Sequence, residues 1–314
     1  MKEGKPEIKE IARNIFQLRV PVPVSVEHVN LFLFTGAVPT LLDCGTNVGQ
    51  SIQAILDMCE QVGVPKLEQV ILSHWHVDHA GAAVALAQTG ARVLISARDY
   101  KEWQEFTQPD YVKNMQNTIY NEWGLPAESY PLMQEVYLAF RRYTESPPPV
   151  AYINAAEQLQ AGDYHLQPIE TPGHTPGHFS FYLAELGMLF TGDQLLPNEI
   201  AYPGVWLEQN KAVSGLPAFQ ASLQRLEQLS ATVYFPAHGD YAPNPAARCR
   251  AVQALIAQQA AAHIPAASVF AGANRLVRHK PNPGILYLQM HYIYGWETLV
   301  KLQNSLTPQP IRDS

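Results

Sequence analysis

Residues 73–79 read Ser73-His74-Trp75-His76-Val77-Asp78-His79, between an apolar run at 69–72 and the small, apolar segment Gly81-Ala82-Ala83-Val84-Ala85-Leu86-Ala87. The first flank predicts a buried strand and the second a closely packed helix, so the polar residues fall at a strand-to-helix turn. Residues two apart on extended chain point the same way, and His74 and His76 can therefore share one metal ion just past the strand end. Asp78 and His79 follow where the chain turns and can face a second ion beside the first. Imidazole and carboxylate donors without thiolate suit zinc in an open site better than in a closed structural one.

Three later segments repeat one arrangement, a histidine or aspartate directly after an apolar run and close to glycine. They are Thr171-Pro172-Gly173-His174-Thr175-Pro176-Gly177-His178, Thr191-Gly192-Asp193 and Pro236-Ala237-His238-Gly239. Glycine supplies the backbone angles and close approach that a crowded centre requires. Each segment alone reads as an ordinary turn, but all of them at ends of predicted strands read as one site. His178 is expected to be packed and hydrogen-bonded rather than a ligand. His28, His165, His263, His279 and His291 lack ligand spacing and read as ordinary residues.

Working outward, strands are predicted at 30–35 and 40–43, joined as a hairpin, then a helix carrying Ile52, Ile55, Leu56 and Cys59. A strand at 91–95 follows the histidine turn and its helix. From 99 to 146 the texture changes: Trp103, Phe106, Tyr111, Tyr120, Trp123, Tyr130, Tyr137 and Phe140 sit among polar residues. This predicts an inserted, mainly helical segment closed by Pro147-Pro148-Pro149. It is expected to cap the metal cleft, its aromatics forming a small core and a few of them lining a pocket. Strands resume at 164–169, 179–183 and 188–191, followed by a helix at 216–229, a strand at 232–235 and a helix from Asn244-Pro245 to about 262. Two rounds of strands followed by a helix predict two similar halves packed face to face.

In this order the segments resemble the metallo-β-lactamase superfamily, over roughly residues 11–241. The resemblance implies an α/β fold, a four-layer αββα sandwich over 1–245, with the helical insertion at 99–146 and a mainly helical C-terminal extension over 246–314. It implies His74, His76 and His174 on a first metal, Asp78, His79 and His238 on a second, and Asp193 bridging both. Asp43, in Leu41-Leu42-Asp43-Cys44-Gly45, would support the ligands from behind. The cofactors are then two divalent ions, zinc by default with iron or manganese as options. The implied activity is hydrolysis of an ester, lactone or thioester by a metal-bridging hydroxide, with Asp78 and Asp193 fixing geometry and relaying protons.

The segment around His174 is similar to those of glyoxalase II and lactonases. Pro236-Ala237-His238-Gly239 and Leu195-Leu196-Pro197-Asn198 depart from the glyoxalase II pattern, which disfavours hydroxyacylglutathione itself and resembles the β-lactamase-like hydrolases more. The alternatives within the fold are an iron-dependent, persulfide dioxygenase-like oxidoreductase and a phosphodiesterase or nuclease.

Composition narrows the partners. With 47% apolar and 16% charged residues the chain has an ordinary globular balance, and its net charge of −7 offers no basic footprint for nucleic acid. No apolar run reaches bilayer length and the first residues are charged, so a cytoplasmic protein without membrane contact is expected. Cys44, Cys59 and Cys249 are scattered and odd in number, which fits neither disulfide pairs nor CxxC zinc units. A small-molecule substrate is the expected partner, and a homodimer is compatible with the sequence.

Overall fold

In this computed structural model residues 7–23, 26–209 and 211–262 are described, together with Ser268, Val269, Met290 and Tyr294. Seven strands form the first sheet in sequence order: β1 (Glu7–Ala12), β2 (Ile15–Pro21), β3 (His28–Phe34), β4 (Thr40–Leu42), β5 (Gln69–Ile71), β6 (Arg92–Ile95) and β7 (Val150–Tyr152). The first four pair antiparallel and the last four run parallel. Parallel neighbours need crossovers. These are α1 (Gly49–Gln61), then α2 (Val77–Ala80) with α3 (Ala83–Gln88), then the segment beginning with α4 (Ala97–Phe106) and continuing through α5 (Tyr111–Met115) and α6 (Tyr130–Arg141).

The second sheet holds β8 (Leu159–Ala161), β9 (Tyr164–Glu170), β10 (Phe179–Leu183) and β11 (Met188–Gly192). After β11 come a separate hairpin, β12 (Val205–Glu208) and β13 (Lys211–Ser214), and α7 (Leu216–Glu227). The chain then returns as β14 (Val233–Pro236) and β15 (Ala242–Pro243) before α8 (Pro245–Ala262). The sheet order is β15-β14-β11-β10-β9-β8, with β14 parallel to β11.

Period-two alternation assigns the layers. Leu31, Leu33, Val70, Val93 and Ile95 pack against Ile55, Met58, Leu86 and Trp103 of the first helices. The intervening Phe32, Phe34, Ile71 and Leu94 instead meet Phe179, Phe181, Phe190 and Phe235 of the other sheet. The Phe190 ring sits 4.9 Å from that of Phe32 and 5.4 Å from that of Phe34. Behind the second sheet, Leu189 and Tyr234 pack on Phe219, Leu223, Val252 and Ile256 of α7 and α8. The result is the expected order of helix, sheet, sheet, helix. Each large apolar side chain so buried contributes about 1.5–3 kcal/mol.

Several features were not visible in the sequence. β1, β2, β7, β8, β15 and the β12–β13 hairpin add to the predicted strands. The sequence boundary after residue 245 falls at the start of α8, which shares its core with α7. Beyond 262 the expected extension lies outside the described residues except at four positions, as do His263, His279 and His291. Two aromatics of the insertion are not available to line a pocket. Trp103 is fully buried in the first core and donates Nε1–H to Thr144 Oγ1 and the Glu145 carbonyl, each at 3.0 Å. Trp123 is fully buried among Ile119, Met133, Val205 and Leu207, a cluster joining the insertion to the β12–β13 hairpin. Among the described residues no helix is long and apolar enough to cross a membrane, and the three cysteines are buried and unbridged.

Candidate metal centre

All seven predicted ligands meet at one end of the two sheets. His74 follows β5, Asp193 follows β11 and His238 follows β14, while Asp78 and His79 lie in the first turn of α2. His174 comes from the loop between β9 and β10. The predicted glycine requirement holds at three places, where Gly173, Gly192 and Gly239 take φ of +143°, +50° and +83°. A Cβ on Gly192 would lie 2.6 Å from His178 Nε2, so the backbone carrying Asp193 approaches as only glycine allows.

Two donor clusters result. In the first, His74 Nε2 and His174 Nε2 lie 3.0 and 2.9 Å from His76 Nδ1. In the second, His238 Nε2 lies 3.4 Å from Asp78 Oδ2, with His79 Nε2 beside them at 3.9 Å from the same oxygen. The donor atoms within each of these groups all lie within 4.8 Å of one another. Asp193 stands between them. Its Oδ2 is 3.3 Å from His174 Nε2, and its Oδ1 is 3.3 Å from His238 Nε2 and 3.5 Å from His79 Nε2.

The electrostatics fit cations at this place. Burial, reinforced by neighbouring histidines, holds His74 and His76 well below the usual histidine pKa, so both are neutral with lone pairs to donate. Burial opposes charge on His79 and His238 too, but the facing carboxylates of Asp193 and Asp78 outweigh it and push them up to about 9 and about 10. The second cluster therefore carries protons that a metal ion would displace. Two buried atoms of the centre, His79 Nε2 and Asp193 Oδ1, have no hydrogen-bond partner. A polar atom enclosed without a hydrogen-bond partner is costly unless something binds it. Five imidazoles and two carboxylates, without thiolate, form a donor set that fits divalent metal ions.

Outer partners fix each ring. Asp43 accepts from Ser73 N–H at 2.7 Å, Ser73 Oγ–H at 2.8 Å and His79 Nδ1–H at 2.9 Å, which presents Nε2 of His79 to the centre. Its supporting place, expected from the sequence, is thus occupied. Ser73 Oγ also accepts from His74 Nδ1–H at 3.0 Å, so one buried carboxylate steadies a ring in each cluster. His178 accepts from Asp193 N–H at 3.2 Å through Nε2 and donates Nδ1–H to Thr171 Oγ1 at 2.8 Å. It is packed and hydrogen-bonded, as predicted.

Three contributors were missed. The Tyr202 carbonyl accepts from His174 Nδ1–H at 2.9 Å, and its hydroxyl lies 3.5 Å from His76 Nε2. No motif announces that residue. His28, read as ordinary, accepts His238 Nδ1–H through its carbonyl at 2.7 Å, and its Nε2 accepts from Gly239 N–H at 3.2 Å. Asn30 donates Nδ2–H to the Pro236 and Gly239 carbonyls at 2.9 and 2.8 Å, pinning the same loop. Position in β3 beside the last loop is their only signal, and it exists only in three dimensions.

The family sequence model for the metallo-β-lactamase superfamily matches residues 25–238, which contain all seven ligands. The chain belongs to this superfamily. Among curated relatives it is 28% identical over 240 residues to the probable metallo-hydrolase YqjP of Bacillus subtilis, covering 72% of each chain. It is 22% identical over 222 residues to the thioesterase pkgB of Emericella nidulans, covering 70% of this chain and about half (48%) of that protein. The fold matches the metallo-β-lactamase family protein TTHA1429 of Thermus thermophilus with a TM-score of 0.79 at 22% identity, covering 96% of this chain and 97% of that one. These relatives make the chain a metallo-hydrolase homologue whose His/Asp cluster can bind metal.

Proposed function

We propose that the protein is a binuclear metal-dependent hydrolase that cleaves a thioester, ester or lactone. The observation that carries this is the position of Asp193, with one carboxylate oxygen turned to each donor cluster. In this reading His74, His76 and His174 hold the first ion, Asp78, His79 and His238 the second, and Asp193 both. Such a pair of ions supplies a water acidic enough to deprotonate near neutral pH and polarises the attacked carbonyl. The chain's own groups do the rest. Asp78, the more exposed of the two central carboxylates, is placed to hold or return a proton through the carboxylate oxygen that it does not turn to the second cluster. Trp75, His76 and Tyr202 are partly exposed and border the side on which substrate enters. Trp75 leads from the centre into the insertion, its ring 5.0 Å from Phe106, which stacks edge-on with Tyr111 and Tyr137. That aromatic run is the wall we assign to the acyl group.

The name of the thioesterase relative and the acidic chain support an acyl bond over a phosphodiester. Zinc, manganese and iron loadings should be assayed on a panel of thioesters, lactones, esters and phosphodiesters, with oxygen uptake followed alongside. The expected result is highest kcat/KM on an acyl substrate. Phosphodiester turnover ahead by about tenfold, equal to about 1.4 kcal/mol of transition-state preference, or oxygen consumption with iron, would overturn it.

A further inference from the structure

A fully buried carboxylate outside the ligand set lies between the two loops that form the first donor cluster. Asp99 sits in the first turn of α4, at the point where the sequence pattern begins its insertion, and is 0% exposed. Its Oδ2 accepts from the backbone N–H of Trp75 at 3.2 Å and from Thr175 Oγ1–H at 2.7 Å. Its Oδ1 accepts from the backbone N–H of Gly177 at 2.6 Å. Trp75 is the residue between His74 and His76, and Thr175 is the residue after His174. One side chain therefore grips both loops that deliver the first cluster.

The fit around it is close. Ser96 Oγ accepts from Asp99 N–H at 3.0 Å and caps α4. A Cβ on Gly177 would meet Ser96 Oγ at 2.0 Å and Asp99 Oδ1 at 2.7 Å, so the loop and the helix start could not close on one another with any other residue there. A buried carboxylate is retained only when donors satisfy it, and here three do. Two of those donors are backbone amides, which fixes main-chain position and not merely a side-chain rotamer.

We propose that Asp99 is a positioning residue for the first metal site, holding the His74–His76 turn and the His174 loop at the spacing one ion requires. The proposal rests on the reading of those three histidines as ligands. Asp99→Asn keeps the shape but must turn an NH2 group toward either Gly177 N–H or the Trp75 and Thr175 donors, so the grip opens on one side. Thr175→Val is the milder variant, removing a single donor.

The test is chelator competition on the fully metallated protein, with the occupied site assigned by anomalous diffraction and the melting temperature measured in parallel. The core variant Leu226→Ala in α7 serves as a stability control. Asp99→Asn should lower first-site affinity about 10–100-fold with the second site changed by less than about threefold, and Thr175→Val should move the same site by less. If Asp99→Asn fails to fold, Thr175→Val alone must show the selective loss. Equal weakening of both sites, or a lower melting temperature with first-site affinity intact as in Leu226→Ala, would show Asp99 to be only structural and overturn the proposal. If the wild-type protein itself does not bind metal at the three histidines, the functional reading fails, and this proposal with it.

Discussion

Replacing Asp43 by Asn isolates the contribution of an outer carboxylate to the second donor cluster. Asp43 has φ +56°, a conformation Asn tolerates, so the backbone has no reason to object. Asp43 is 3% exposed, and its carboxylate accepts three hydrogen bonds, two from Ser73 and one from His79 Nδ1–H. An amide keeps one oxygen. If that oxygen stays on Ser73 N–H, the new NH2 faces His79 Nδ1–H, donor against donor; if it turns, the Ser73 amide is left unpaired. The Ser73 hydroxyl can rotate and accept, which limits the damage to one buried charge-assisted bond. That is a loss of about 1.5–3 kcal/mol in stability of the metal-free chain. Freed of its acceptor, His79 no longer presents Nε2 in a fixed tautomer, and second-site affinity should fall about 10–100-fold. Thermal or urea unfolding of the metal-free protein and chelator competition of the metallated one measure the two effects. A variant with unchanged unfolding midpoint and second-site affinity within about twofold would refute the assignment of Asp43 as the group that orients His79.

Gly173→Ala should abolish soluble folded protein or cost more than about 3 kcal/mol, because its Cβ would stand 2.4 Å from Phe219 Cα at φ +143°; a urea midpoint near wild type would contradict the close approach of α7. Trp123→Ala should cost about 3–5 kcal/mol, and far-UV circular dichroism should report loosened helices of the insertion, because the ring is fully buried; unchanged stability with altered acyl selectivity would instead return Trp123 to the pocket wall. Burial, then the nearby Glu105 and Asp99, push Glu102 up from the usual 4.5 to about 8. The folded state thus keeps this proton after the unfolded chain has lost it, so stability is unpenalised below about pH 4.5 and falls through pH 8. Glu102→Gln should therefore gain about 1–2 kcal/mol at pH 9, after discounting for a partly exposed group, and nothing at pH 4; the same change in melting temperature at both pH values would sink this.

The candidate ligand cluster was legible because each signal is local. His74 and His76 are set by strand periodicity, and Gly173, Gly192 and Gly239 mark turns whose positive φ the structure displays. The three layers of core were legible where apolar residues alternate or repeat at helical spacing, as in 30–35 and 216–229. What supports the ligands was not. Asp99 acts across 76 and 78 residues of sequence on Thr175 and Gly177, and Tyr202 works through its carbonyl, which every residue possesses. The β12–β13 hairpin escaped because Gln209 takes φ +51° where turn rules look for glycine or asparagine. The aromatics of the insertion announced burial but not against which partner, so Trp103 and Trp123 could be taken for a cap when they close two different cores.

The central claim, two ions held by these seven residues, is tested most directly by anomalous diffraction from a crystal of the metallated protein. Two peaks are expected about 3.5–4 Å apart, one among His74 Nε2, His76 Nδ1 and His174 Nε2 and the other among Asp78, His79 Nε2 and His238 Nε2, with Asp193 between them. A single peak at full occupancy under saturating metal, or peaks away from Asp193, would contradict it.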